Sequence, residues 1–214
     1  MKLYTYWRST AAYRVRIALN LKGIDYESVP VHLVRDGGEQ HSDSYRALNP
    51  QQLVPTLRDG DVVLTQSLAI IGYLDERYPE PPLLPQDPVL RAHTRALALS
   101  IACDIHPLNN LRVLQYLDEP LGVPKEARDG WYCHWIAAGF AAIETRLAGD
   151  RGRDRFCVGT TPTLADLCLV PQVYNARRFE CNLEPYPNIL EVDAKCREID
   201  AFVQASPEEQ PDKE

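Results

Sequence analysis

The sequence predicts two joined parts, a small mixed α/β domain followed by an all-helical one. Three observations lead there. Short β-like runs alternate with helical ones up to about residue 80, and nearly everything beyond reads as helix. Residues 78–88 carry five prolines in eleven positions, and proline fixes φ and removes a backbone donor, so neither a helix nor a central strand runs through them. The 214 residues, 45 % hydrophobic and 25 % charged, suffice for two modest domains with cores of their own. The expected boundaries are 1–80 for the first domain, 81–88 for a Pro-rich linker and 89–214 for the helical domain.

In order, residues 2–6 read as a strand with Leu3 opposite Tyr4 and Tyr6. Residues 11–22 read as a helix, with Val15, Ala18, Leu19 and Lys22 at helical spacing and Gly23 as the residue that ends it. A second strand is expected over 28–33, and Pro30 makes it an edge strand. Two short strands, 55–58 and 62–65, flank the turn Asp59-Gly60-Asp61. Residues 67–78 read as a helix capped by Ser67, with Leu68, Ile71 and Leu74 on one face. The order β-α-β-loop-β-β-α is that of a thioredoxin-like domain. After the linker, helices are expected over 89–117, 125–147, 163–178 and 187–204. Thr163 and Asp166 form the hydroxyl and carboxylate of a capping box. The polar tail 206–214 is expected to fray.

Composition excludes several functions. A net charge of −7 argues against nucleic acid, whose binders need a basic surface. No apolar run approaches the roughly 18 residues of a membrane span, and the first ten residues lack the apolar core of a secretory signal. The expectation is a cytoplasmic protein without a membrane partner. The six cysteines form no CxxC pair and read as six free thiols on helix faces. The five histidines show no ligand spacing, so no metal is expected.

Three segments of the first part carry chemistry. Ser9 and Thr10 open the first helix, where unpaired N–H groups and about half a positive charge favour an anion. The plain alternative is an N-cap and nothing more. Val54-Pro55 opens a short strand and is a candidate cis bond, against a trans proline at a strand edge. Gln66-Ser67 stands at a second helix start, where a hydroxyl and backbone N–H groups suit a carboxylate; here too a plain N-cap is the alternative.

Together, in this order and before a helical half, these segments resemble the glutathione transferases, and closely the zeta class. The resemblance spans essentially the whole chain. It is carried by Arg8-Ser9, Arg14-Val15-Arg16-Ile17-Ala18-Leu19, Ala47-Leu48-Asn49-Pro50, Gln66-Ser67-Leu68-Ala69-Ile70-Ile71, Leu84-Pro85-Gln86-Asp87-Pro88 and Ala165-Asp166-Leu167-Cys168-Leu169-Val170-Pro171-Gln172-Val173. It implies a thioredoxin-like glutathione-binding domain and a helical domain contributing the substrate site. It also implies a homodimer and glutathione as cofactor. By it, Ser9, beside Thr10, faces the glutathione sulfur, and Gln40, Val54, Pro55, Gln66 and Ser67 hold the tripeptide. His106 and Asn110 reach the same ligand, while Arg8, Arg112 and Arg178 meet a carboxylate substrate. One departure is plain: the zeta pattern Ser-Ser-Cys is Ser9-Thr10-Ala11 here, so no protein thiol stands at the site.

The implied activity is a glutathione-dependent cis–trans isomerisation of a maleyl dicarbonyl acid, maleylacetoacetate to fumarylacetoacetate. Maleylpyruvate is an equally fitting substrate. A general glutathione transferase or dehalogenase, and a non-catalytic binding module of the same fold, are the other readings. The physical task is to favour a thiolate over a thiol of pKa near 8.5.

Overall fold

The computed structural model describes residues 1–150 and 152–214. The chain divides into two compact units, one of residues 1–83 with 197–214, the other of residues 84–196. The expected helical domain therefore ends early: its last eighteen residues belong to the α/β unit.

In that first unit, β1 (Lys2–Thr5), β2 (Glu27–Pro30), β3 (Thr56–Asp59) and β4 (Val62–Thr65) form one sheet in the order β2-β1-β3-β4. β1 pairs parallel with β2 and antiparallel with β3, with Tyr4 opposite both Val29 and Thr56, and β4 runs antiparallel to β3. β2 is an edge strand, as Pro30 requires. Helix α1 (Thr10–Leu21) follows β1, the short α2 (Asp43–Leu48) lies in the long loop, and α3 (Ser67–Arg77) follows β4. Gly23 takes φ +62°, the left-handed conformation that terminates α1 without a Cβ penalty.

α1 is buried almost continuously from Thr10 to Leu19, more than one apolar stripe needs. The reason is α9 (Asp200–Gln204), which covers it. Tyr13 Oη donates to the Phe202 carbonyl at 3.1 Å, Arg16 Nε to that of Ala205 at 2.9 Å and Asn20 Nδ2 to that of Ala201 at 3.1 Å. These satisfy carbonyls that a helix end leaves without partners. Asp212 then accepts from the Trp7 N–H at 3.0 Å, and the Glu214 carboxylate meets His32 Nε2 at 3.3 Å and Arg35. α9 and Ala205 are thus tied to α1, and the tail 206–214, expected to fray, is fixed through Asp212 and Glu214 to the segments just beyond β1 and β2.

The helical unit contains α4 (Pro88–Leu99), α5 (Leu111–Asp118), α6 (Lys125–Gly149), α7 (Leu164–Arg178) and α8 (Pro187–Cys196). The expected helix 89–117 is broken: Ser100–Ile105 forms a π turn, with His106 N–H reaching back to Ile101 O at 2.9 Å. The expected helix 187–204 is also two, α8 and α9. Gly139 on α6 admits the π turn closely, since a Cβ there would lie 2.2 Å from Ile105 Cδ1. The capping box of α7 is present, with Thr163 N–H and Oγ1 both donating to Asp166 at 2.8 Å. Glu144 of α6 caps α8 from outside, accepting from the N–H groups of Asn188 and Ile189 at 3.0 Å.

The expectation of six free thiols is corrected at one pair. Cys133 on α6 and Cys181 beyond α7 form a disulfide with Cα atoms 5.2 Å apart, well within bridging reach. Their 48-residue separation hides this contact in the sequence. Among the described residues no helix is long and apolar enough to cross a membrane.

Candidate functional site

Strand directions gather the candidate residues of the α/β unit at one end of its sheet. β1 and β4 are both antiparallel to β3, so they run the same way. α1 and α3, which follow them, therefore start at the same end. β3 starts there too, and with it the Val54-Pro55 bond, which is cis. β2, parallel to β1, ends there and leads into the loop that carries Gln40.

Ser9 is the N-cap of α1, and its Oγ accepts from the Ala12 N–H at 3.2 Å. That bond uses an oxygen lone pair and leaves the O–H proton to donate. Thr10 is the first helical residue and is 4 % exposed. Arg8 is exposed, its guanidinium 4.1 Å from the Trp7 ring centroid. Ser67, expected as the cap of α3, is instead its first residue; the cap is Gln66, at φ +69°. Few residues other than glycine adopt that conformation, which costs on the order of 1–3 kcal/mol and clusters at ligand clamps.

A polar network joins these elements. Gln66 Nε2 donates to Gln51 Oε1 at 2.9 Å, and His41 Nδ1 pairs with Gln52 Oε1 at 2.7 Å. Gln40, buried beside His41, donates from Nε2 to Leu33 O at 3.2 Å, while its Oε1 has no partner among the described residues. The Leu53 carbonyl, one residue before Val54, accepts from Tyr45 Oη and Asn49 Nδ2, both at 2.7 Å. Burial pushes the Tyr45 phenol up, so it remains a donor. These bonds hold Val54 and Pro55 in place against a cluster of Tyr6, Trp7, Val31 and Tyr45. The structure thus brings Arg8, Ser9, Thr10, Gln40, Val54, Pro55, Gln66 and Ser67 to one end of the unit.

The other four candidates lie in the helical unit. His106 is half-buried behind the π turn, and Asn110 caps α5 by accepting from the Arg112 N–H at 3.1 Å. Arg112 is exposed. Arg178, the last residue of α7, sits 4.7 Å from the Phe179 ring centroid. Phe179 stacks on Tyr132 at 3.6 Å, and the Tyr132 carbonyl accepts from Asn109 Nδ2 at 3.4 Å. Tyr132 of α6 therefore bridges the segment of His106 and Asn110 to that of Arg178.

The sequence reading missed Gln51, Gln52 and His41, which lie in a loop without periodicity. It also assigned no role to Arg14. The available signal was two arginines, Arg14 and Arg16, on a helix face that must be buried; they are 1 % and 0 % exposed.

Comparisons agree with this architecture. Residues 3–82 match the family model for the glutathione S-transferase N-terminal domain. The chain is 55 % identical to a probable maleylacetoacetate isomerase of Vibrio cholerae, over 98 % of this chain and 97 % of that protein. It superposes with a TM-score of 0.98 on a bacterial maleylpyruvate isomerase of the zeta class, 54 % identical and fully covered on both sides. A maleylacetoacetate isomerase from Methylobacterium extorquens AM1, with malonate and glutathione bound, gives 0.94 at 44 % identity, covering 99 % of this chain and 98 % of the other. With fold, element order and full-length identity in agreement, the chain belongs to the zeta class of the glutathione transferases.

Proposed function

We propose that this protein is a glutathione-dependent cis–trans isomerase of maleyl dicarbonyl acids, with maleylacetoacetate as substrate and maleylpyruvate as the sibling alternative. The observation that carries the reading is Ser9. Its oxygen is engaged by the α1 backbone, which leaves its O–H proton for the glutathione sulfur at a helix start that itself favours negative charge. A hydrogen bond to a charged group contributes about 1.5–3 kcal/mol, enough to lower the thiol pKa by one or two units. The sulfur then adds to the cis double bond, and the electron pair moves onto the conjugated carbonyl as an enolate. The new single bond rotates. The enolate collapses, expels the thiolate and leaves the trans alkene, so no glutathione is consumed.

In this reading Gln40, Val54, Pro55, Gln66 and Ser67 hold the tripeptide, with Thr10 behind Ser9. The helical unit supplies His106 and Asn110, and Arg8, Arg112 and Arg178 receive the substrate carboxylates, for which arginine's planar fork is suited. The Methylobacterium relative was solved with malonate and glutathione bound, which supports a small dicarboxylate as a ligand here. We take the protein to act in the cytoplasm as a homodimer, on the family resemblance; light scattering should give about twice the 24.2 kDa of one chain.

The test follows substrate absorbance and total thiol together, with each maleyl acid, with and without glutathione. Isomerisation that requires glutathione and leaves total thiol constant is expected. Thiol loss matching turnover would identify a conjugating transferase, and no reaction with either acid would overturn the reading.

A further inference from the structure

Arg14 lies on α1, well inside the unit, and its Nη1 donates to Ser67 Oγ at 3.3 Å in a buried bond. Ser67 is itself 7 % exposed and opens α3. A guanidinium has donors only and stays charged at any working pH. The serine oxygen is therefore the acceptor in this bond, and its one proton must point away from Arg14.

Resting on the glutathione reading above, we propose that Arg14 is a positioning residue: it fixes the Ser67 hydroxyl as a donor to the carboxylate of glutathione held at the start of α3. Arg14 touches no ligand in this scheme. It acts through Ser67, and it governs tripeptide affinity rather than the chemical step at Ser9.

The test measures glutathione binding by calorimetry and steady-state kinetics for the full chain, Arg14→Met, Arg14→Lys, Ser67→Ala and the double variant Arg14→Met/Ser67→Ala. The second probe is glutathione amidated at its γ-glutamyl α-carboxylate. Arg14→Met and Ser67→Ala should each weaken glutathione binding roughly ten- to a hundredfold. The double variant should be no worse than about twice the weaker single one, because the two act as a unit. Arg14→Lys should recover most of the affinity, kcat at saturating glutathione should stay within about twofold, and the amidated probe should bind Arg14→Met and the parent alike. Losses that multiply in the double variant, or a fall in kcat with KM unchanged, overturn the proposal. Should Arg14→Met fail to fold, Arg14→Lys still decides: its affinity deficit must vanish in the Ser67→Ala background, and a deficit that persists there overturns the proposal. If the unmodified protein does not bind glutathione, the functional reading falls and this one with it; binding with independent losses refutes only the role of Arg14.

Discussion

Ser9 and Thr10 are neighbours with hydroxyls in different surroundings, one half-buried at the cap and the other enclosed within α1. Ser9→Ala should raise the pKa of bound glutathione and slow turnover about ten- to a hundredfold, the value of one charge-assisted bond. Thr10→Ala, which keeps the Ser9 cap, should leave the thiolate pKa in place. The ultraviolet absorbance of the thiolate against pH, read for both variants, separates them; a pKa moved by Thr10→Ala alone would reverse the assignment. The thiols offer a second check. Cys103 is exposed, whereas Cys157, Cys168 and Cys196 are buried, and burial holds the Cys157 and Cys196 thiols well above their ordinary range. Alkylation of the native protein at pH 8 should modify one thiol, three more after unfolding, and the remaining two only after reduction. Ser9, the Val54-Pro55 bond and Gln66-Ser67 were legible because hydroxyls, amides and prolines are placed by local rules. Arg14 was not, because a buried arginine and a surface one look alike in a sequence.

Among the elements, α7 is held at its start by a carboxylate that no solvent reaches. Asp166 accepts from the Cys157 N–H at 2.7 Å and from both donors of Thr163, and its burial raises its pKa against those bonds. Asp166→Ala strands two buried N–H groups at about 1–3 kcal/mol each, so a loss of roughly 2–6 kcal/mol is expected. Urea unfolding with an unchanged slope and a lowered midpoint would register it; a loss under 1 kcal/mol would show that solvent reaches these groups. This capping box was readable because its partners are three residues apart. So was the hairpin of β3 and β4, set by a two-residue turn. The break between α4 and α5 was not, since Leu97, Ile101 and Ile105 keep a four-residue spacing through the π turn, and Pro107 just beyond was the sole local hint. The 42–48 segment is too short for periodicity to reveal α2.

For the molecule as a whole, the division at residues 83 and 197 depends on contacts no local pattern encodes, which is why the expected boundary of the helical domain fell elsewhere. The contact that Glu214 makes at the end of this return should respond to pH. His32 and Arg35 hold the Glu214 carboxyl below its ordinary 4.5. A depressed acid contributes stability above its unfolded pKa and loses it as pH falls through the folded one. Relative to the intrinsic exchange rate, protection at residues 206–214 should therefore hold at pH 6 and fall below about pH 4.5, before the sheet opens; uniform protection down to pH 3 would assign the anchoring to α9 instead. The same arrangement sets an order of assembly on the ribosome. Synthesis delivers β1 to α3 first, but the carbonyls of Ala201, Phe202 and Ala205 that engage Tyr13, Arg16 and Asn20 arrive only after the whole helical unit has been made. The nascent α/β unit waits with one side of α1 uncovered while the later unit completes its own core. The first unit to be translated is therefore the last to close.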